Sequence, residues 1–354
     1  MTGLPRKAKA AILVQQKQPL EVSAIDLPER LDAGQVLVRL AYSGICGSQI
    51  GEIEGVKGPD AWLPHLLGHE GSGHVLATGP GVRRVKADDA VVLHWRPAPG
   101  IEAATPKYSC DGKAVNAGWV TTFNEFAVIS ENRLTPIPAD TDLRAAALYG
   151  CAVTTGFGVI DNRAHVRLGE TVVVFGAGGI GLNVIQAASL AGAGAVVAVD
   201  LFDQRLDLAA KLGATHKVNA AKTDAWKQIA EIFGAKGPDV FIDNTGSPEV
   251  IGRGYAITNK RGRIILVGVP KKGQQTSIDT LQLHFGKTIV GTHGGEVDPA
   301  DDIPRYMSLM KARDIDLGEL ITEVGRLEDV NGLIDHMRKG TSAGRCLIEF
   351  KSAA

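Results

Sequence analysis

Four short segments of the sequence carry side chains of the types that do chemistry. SGICGSQIGE (43–52) and CAVTTGFG (151–158) each contain one cysteine, LLGHEGSG (66–73) places a histidine beside a glutamate, and VVVFGAGGIGL (172–182) is rich in glycine. Thiolate, imidazole and carboxylate are the groups that bind zinc in proteins. A glycine-rich turn between a strand and a helix binds the phosphates of a dinucleotide. The segments therefore predict two kinds of site, one for a metal and one for a nucleotide cofactor.

The three metal-binding candidates, Cys46, His69 and Cys151, each have a structural alternative when taken singly. A lone cysteine is usually a small buried residue, and a histidine between glycine-rich segments can be a turn residue with satisfied hydrogen bonds. Four cysteines in 354 residues do not form a disulfide framework. The wide spacing is not a local zinc motif, so the residues alone leave the metal and structural interpretations open.

The nucleotide motif is the stronger signal, because it follows a predicted strand and opens a predicted helix. Gly176 is expected to allow the tight turn, Gly178 the approach of the pyrophosphate and Gly181 close helix–strand packing, with Gly179 in the same turn. Asp200 ends the next strand, where a carboxylate accepts hydrogen bonds from the adenosine ribose and repels the 2′-phosphate of NADP. The pattern predicts NAD binding; the alternative is a structural turn with Asp200 capping the next helix.

The elements that position these residues change in character near residue 150. Residues 10–42 alternate as strands do, and short β-like pieces continue to about residue 138, which predicts an irregular all-β domain. Beyond residue 150, apolar valine-rich runs alternate with helix-like segments, which predicts a doubly wound parallel sheet. Residues 94–118 show no periodicity and are interpreted as a long loop. After residue 295, two helix-like segments and a final strand are too short for a domain, and they are expected to return to the first.

Composition excludes several classes of function. The net charge of −1 favours neither nucleic-acid binding nor attraction to an anionic membrane. No apolar run reaches the roughly 20 residues that span a bilayer, and the N-terminal run is too short for a signal peptide. We expect a cytoplasmic protein with reduced thiols, and neither a nucleic acid nor a membrane as its partner.

The segments GICGS, GHEGSG, GCAVTTGFG, VVVFGAGGIGL and VVAVD occur in the order found in zinc-dependent medium-chain alcohol dehydrogenases, and the chain resembles that family over about residues 10–350. The resemblance implies an α/β protein with a GroES-like, β-rich catalytic domain (1–152 and 293–354) and a doubly wound Rossmann domain that binds NAD (153–292). It also implies a homodimer or homotetramer.

Matched position by position, the resemblance makes Cys46, His69 and Cys151 the ligands of one catalytic zinc ion. Glu70 would lie beside them as a catalytic residue or exchangeable ligand, and Ser48 would take the proton of the alcohol.

For the cofactor, the resemblance implies that Thr155, Val267 and Val269 flank the nicotinamide and that Arg345 contacts the pyrophosphate. Taken alone, Arg345 would be interpreted as a solvated surface charge. His94, Trp95 and Phe123 match positions that line the substrate pocket, although packing at the strand ends is an equal alternative for each.

Three positions depart from the family pattern. Gln49 replaces an acid that often partners the ligand histidine; its side-chain oxygen is expected to accept from the imidazole N–H. Gly51 replaces a histidine that completes the proton path in some members. Many members bind a structural zinc through four clustered cysteines, but residues 94–118 contain only Cys110, so we expect one zinc per chain.

The function expected from these features is the zinc- and NAD-dependent conversion of a small-molecule alcohol, polyol or sugar hydroxyl to an aldehyde or ketone. The alternatives are a zinc-free quinone or enoyl reductase of the same fold, and a non-catalytic nucleotide-binding protein.

Overall fold

The computed structural model describes residues 4–351. Within that range the strands are, in chain order, β1 (Lys7–Leu13), β2 (Glu21–Asp26), β3 (Gln35–Ile45), β4 (His65–Leu66), β5 (Glu70–Thr78), β6 (Ala90–His94), β7 (Tyr108–Cys110), β8 (Lys113–Val115), β9 (Phe126–Ser130), β10 (Leu134–Pro136), β11 (Thr171–Phe175), β12 (Ala195–Asp200), β13 (His216–Asn219), β14 (Val240–Asp243), β15 (Arg263–Leu266), β16 (Thr288–Gly291), β17 (Ile321–Gly325) and β18 (Arg345–Glu349).

The α-helices in the same range are α1 (Gly47–Ile53), α2 (Leu143–Ala146), α3 (Ala152–Gly158), α4 (Gly179–Leu190), α5 (Asp203–Lys211), α6 (Ala225–Phe233), α7 (Pro248–Ile257), α8 (Pro299–Ala312) and α9 (Val330–Lys339). Short 3₁₀ segments cover Glu131–Arg133, Ala147–Gly150, Gly234–Lys236, Thr280–Phe285, Gly294–Glu296, Leu317–Leu320 and Leu327–Asp329, and Val159–Ala164 is π-helical.

The chain forms two compact units. The first comprises the chain up to Cys151 together with the chain from Asp298 onward, and the second is Ala152–Val297. The three cysteine and histidine candidates therefore lie in the first unit and the glycine-rich turn in the second.

The first unit contains two β-sheets. One has the order β4-β1-β2-β7-β8, and the other has the order β10-β6-β5-β3-β18-β17 with β9 also paired to β3. The central strand β3 alternates as predicted, with Val36, Val38 and Leu40 in one apolar cluster and Leu37 in another. Both faces of this strand are buried, so packing fixes the position of its C-terminal end. Cys46, which follows directly, is positioned by that end.

The segment from 94 to 118 is not the simple loop that its lack of periodicity suggested. β7 and β8 form a hairpin that extends the first sheet, where Ser109 pairs with Asp26 of β2. The Tyr108 hydroxyl accepts a hydrogen bond from the backbone N–H of Val128. Residues 95–107 contain no strand or helix, as predicted, but the hairpin was missed because strands of three residues are too short to show an alternation.

The C-terminal strand β18 runs antiparallel to β3, with Cys346 opposite Ile45. This register brings Arg345 to the end of β3, next to the position where Cys46 follows. A residue near the end of the chain thus joins the segment that carries the first metal-binding candidate.

The second unit is built on a parallel sheet with the order β13-β12-β11-β14-β15-β16. Its central strand β11 is fully buried at Val172, Val173 and Val174, as its uninterrupted apolar run predicts. Helices follow β11, β12 and β14, so the predicted α/β fold class, with a β-rich domain and a doubly wound domain, is confirmed.

No single helix within residues 4–351 is long and apolar enough to cross a membrane. One bent helix pair, 143–150 with 152–164, meets the criterion by length and composition only. Residues 146–160 of this pair are buried within the protein.

Candidate active site

Three backbone turns bring the metal-binding candidates together in the first unit. Cys46 follows β3 and caps the N-terminus of α1, His69 immediately precedes β5, and Cys151 follows the 3₁₀ turn Ala147–Gly150. Their ligand atoms all lie within 4.8 Å of one another. The structure therefore assembles two thiols and an imidazole from segments that are far apart in the chain.

Gly150 is required for this approach. A Cβ atom at this position would lie 2.3 Å from the carbonyl oxygen of Leu93 and 2.8 Å from the Cα of Glu70. Only glycine lets the turn before Cys151 pack directly on β5 and β6. His69 immediately precedes β5, so this packing brings Cys151 toward His69.

The two cysteine side chains are buried, and their sulfur atoms lie 4.0 Å apart. The hydrogen bond between them lowers the pKa of Cys46 well below its usual range, and the nearby Arg345 charge acts in the same direction. The same hydrogen bond, together with burial, raises the pKa of Cys151. The contact therefore favours the thiolate form of Cys46, and the two sulfur atoms are soft ligands of the kind that suits zinc.

Glu70 and Arg345 form a buried ion pair beside the cysteines. The guanidinium donates from Nε to Oε1 of Glu70 at 3.1 Å and from a second nitrogen to Oε2. Burial raises the pKa of the Glu70 carboxyl, while Arg345 opposes that shift. The Glu70 charge raises the pKa of the Arg345 guanidinium despite its burial. Because Arg345 is only 4% exposed, the alternative of a solvated surface charge is wrong, and the pyrophosphate contact that the resemblance implies stays a prediction.

Gln49 contacts His69, but in an orientation other than the one expected. Its Oε1 accepts a hydrogen bond from the backbone N–H of Cys46 at 2.8 Å, and its Nε2 lies 2.6 Å from Nδ1 of His69. The expectation that the oxygen accepts from the imidazole overlooked the backbone N–H at the helix start, which competes for it.

Ser48 and Gly51 both lie in α1, whose first residue follows Cys46. Ser48 is solvent-exposed, as a residue that exchanges a proton with substrate must be before substrate binds. Its role as the proton acceptor stays a prediction.

The three residues predicted for the substrate pocket differ in their surroundings. His94 is buried in β6. Its Nδ1 is hydrogen-bonded to the backbone carbonyl of Arg96, and its Nε2 lies 3.0 Å from the hydroxyl oxygen of Thr135. Burial lowers the pKa of His94 to about 4. Phe123 is fully buried in an apolar cluster. These two placements favour the packing alternative. Trp95 is half-buried, and its ring centre lies 6.5 Å from that of His69.

A second group of potential ligands, which the sequence did not single out, lies on the loop before His69. Nδ1 of His65 is 3.0 Å from the carbonyl of Leu66, and its Nε2 lies 2.8 Å from Asp60 and 3.9 Å from Glu52. Both ring nitrogens therefore have protein partners. The hydrogen bond between His65 and Asp60 joins the loop to β4 and so supports the segment that carries His69.

The glycine-rich turn of the second unit has the conformation that its sequence predicts. Gly176 has φ +94°, and a Cβ atom at Gly181 would lie 2.0 Å from the carbonyl oxygen of Gly176. No atom lies within 4 Å of a Cβ position at Gly178, which caps α4, and Gly179 is the first residue of that helix. The turn thus leaves open space at the N-terminus of a 12-residue helix, where free N–H groups favour a phosphate.

Asp200 lies at the end of β12, beside this turn. Its carboxylate accepts hydrogen bonds from the backbone N–H groups of Ala177, Leu201 and Phe202. The guanidinium of Arg205, which the sequence analysis did not select, lies 3.6 Å from the same carboxylate. Asp200 thus helps to shape the glycine turn in addition to the role predicted from its position.

The residues predicted to flank the nicotinamide are Thr155, Val267 and Val269. Thr155 is buried in α3, and the two valines follow the end of β15, with Val269 69% exposed. Their contact with a cofactor stays a prediction.

Comparisons with known proteins agree with this combination of a thiolate–imidazole site and a dinucleotide turn. The family model for the alcohol dehydrogenase GroES-like domain matches residues 32–139, and the model for the zinc-binding dehydrogenase matches residues 179–312. S-(hydroxymethyl)glutathione dehydrogenase of Synechocystis sp. is 30% identical over 366 residues, which cover 95% of this chain and 98% of the relative.

Two solved structures have the same fold along nearly their whole length. An alcohol dehydrogenase zinc-binding domain protein from Burkholderia ambifaria superimposes with a TM-score of 0.89 at 28% identity. Benzyl alcohol dehydrogenase from Acinetobacter calcoaceticus does so with a TM-score of 0.87 at 27% identity. Each match covers 98% of this chain and 100% of the other.

The fold and the two sites define a zinc-dependent, nicotinamide-dependent oxidoreductase. The chain belongs to the zinc-dependent medium-chain alcohol dehydrogenase family. The predicted enzyme class and its cofactors, zinc and NAD, are thereby confirmed.

Proposed function

We propose that this protein oxidises a primary alcohol to an aldehyde with NAD, at a zinc ion held by Cys46, His69 and Cys151. The observation that carries the proposal is the convergence of these three ligand atoms within 4.8 Å. Three protein ligands leave one position open for substrate, as a catalytic zinc site requires. When bound, zinc supplies a Lewis acid for the alcohol oxygen, and NAD supplies the hydride acceptor.

The side chains around the site have separate tasks in this proposal. The positive charge of Arg345 favours the thiolate form of Cys46, and the Glu70 carboxylate balances that charge in the buried interior. The Ser48 hydroxyl accepts the proton that the alcohol loses and passes it to solvent.

The substrate proposed is an alcohol with an apolar or aromatic substituent. The Trp95 ring lies 6.5 Å from that of His69, measured between ring centres, and the Arg96 guanidinium lies 5.9 Å from the Trp95 ring centre. Aromatic side chains pack well against aromatic rings. The similarity to a benzyl alcohol dehydrogenase supports this choice over polyols and sugars. A homodimer or homotetramer and a cytoplasmic location stay predictions.

The test is NADH formation over a panel of benzyl alcohol, 1-butanol, 2,3-butanediol, sorbitol and S-(hydroxymethyl)glutathione. Benzyl alcohol is expected to exceed sorbitol at least ~5-fold in kcat/KM, because one aromatic contact contributes about 1 kcal/mol beyond the area it buries. Trp95→Ala should reduce this preference. A higher rate with sorbitol would refute the substrate class. No NADH with any alcohol, together with NAD(P)H oxidation by a quinone or enone, would favour the reductase alternative.

A second prediction concerns the choice of cofactor. NAD is expected to exceed NADP by at least ~10-fold in kcat/KM, or ~1.4 kcal/mol, because the Asp200 carboxylate repels a 2′-phosphate. Asp200→Ala should reduce the difference in kcat/KM between NAD and NADP. Since Asp200 also accepts backbone hydrogen bonds from the glycine turn, Asp200→Asn is the better-matched variant, as it removes the charge and keeps one acceptor. Equal use of both cofactors by the unmodified enzyme would disprove this role.

A further inference from the structure

The side chain of Gln49 faces two groups and has only one acceptor oxygen. Oε1 is bonded to the backbone N–H of Cys46, and Nε2 lies 2.6 Å from Nδ1 of His69. The amide is 1% exposed, so bulk solvent does not supply another partner. A backbone N–H is always a donor, so it holds Oε1 toward Cys46, and the atom of Gln49 that faces the imidazole is the amide nitrogen.

This arrangement conflicts with metal binding by His69. A neutral imidazole that binds a metal through one nitrogen carries its proton on the other. Because Nδ1 faces Gln49, Nε2 is the nitrogen available to the metal, and Nδ1–H then points at the amide NH₂, which is also a donor. Rotating the amide by 180° gives His69 its acceptor but turns the NH₂ toward the N–H of Cys46. Neither orientation satisfies both donors.

We propose that Gln49 leaves the zinc site with one hydrogen-bond acceptor too few. The site therefore binds zinc less tightly, and releases it faster, than it would with a carboxylate at position 49. The inference rests on the proposed zinc site. Glutamate has the same length as glutamine and offers two acceptor oxygens, one for Cys46 N–H and one for His69 Nδ1–H. Groups that orient a ligand histidine in this way typically change metal affinity 10–100-fold.

The experiment compares Gln49→Glu with the unmodified protein, both loaded with zinc. Zinc affinity is measured by competition with a chromophoric chelator, and the dissociation rate by transfer of zinc from loaded protein to excess chelator. The variant is expected to bind zinc at least ~10-fold more tightly and to release it correspondingly more slowly. Gln18→Glu is the matched control, because Gln18 is exposed in the same unit and the charge change is identical. It should leave both values unchanged.

The release rate is a property of the loaded protein, so it does not depend on how stable the metal-free variant is. If Gln49→Glu does not fold, Gln49→Asp provides the same test with a shorter carboxylate. Equal or weaker zinc binding in the carboxylate variant would overturn the inference, since it would mean that the amide already meets the needs of the histidine. An unmodified protein that binds no zinc would instead refute the proposed zinc site itself.

Discussion

Replacing Cys46 or Cys151 by serine is expected to remove zinc and to abolish alcohol oxidation. The two sulfur atoms lie 4.0 Å apart and are buried, so each variant removes one of the two thiols from the site. A serine hydroxyl is not ionised at neutral pH and is a poor zinc ligand compared with a thiolate. Elemental analysis should give close to one zinc per chain for the unmodified protein and a large loss in either variant.

The matched control for these variants is Cys110→Ser. Cys110 ends the short strand β7 and is partly buried, away from the three converging ligands, so the variant should keep both zinc and activity. The thiol of Cys346, the fourth cysteine, donates a hydrogen bond to the hydroxyl of Ser342. We expect Cys346→Ser also to keep zinc. Close to two zinc ions per chain, or loss of zinc with Cys110→Ser, would contradict the predicted single site.

Replacing Ser48 by alanine is expected to lower kcat for alcohol oxidation by about 10²–10⁴-fold, the usual contribution of an acid–base step. Zinc content and NADH affinity should stay near normal, because Ser48 is exposed on α1 and is not among the converging ligands. Steady-state kinetics with direct measurement of NADH binding would separate these quantities.

Ser48→Thr is the conservative companion to this variant, since it keeps a hydroxyl at the same position. It should retain much more activity than Ser48→Ala. If Ser48→Ala changed only KM and left kcat intact, the residue would position the substrate and not accept its proton.

Much of the candidate site could be predicted because its residues lie in short sequence motifs that are recognisable without long-range contacts. The glycine turn was predictable because strand, turn and helix are adjacent in sequence, and its positive φ at Gly176 agrees with that pattern. The family order of short segments identified Cys46, His69 and Cys151, which the structure brings together.

The features that escaped prediction depend on contacts between distant segments. Taken alone, Arg345 resembled a surface charge, and only the pairing of β18 with β3, a long-range contact, places it on Glu70. The orientation of Gln49 depends on a competing backbone N–H. The β7–β8 hairpin has strands too short to show a period, and the pairing of β7 with β2 is a long-range contact.

The pairing of β18 with β3 also bears on how this enzyme is made. Ribosomes synthesise the chain from its N-terminus, and early domains fold first, so Cys46, His69 and Cys151 emerge long before β18. Glu70 and Arg345 are 275 residues apart in the chain, so the carboxylate has no counter-charge from Arg345 until β18 has been synthesised. A nascent chain that bound zinc before then would do so without the Arg345 charge that pairs with Glu70 in the folded protein. A product truncated by premature termination before Arg345 would keep all three metal ligands and yet lack the cation that neutralises their surroundings.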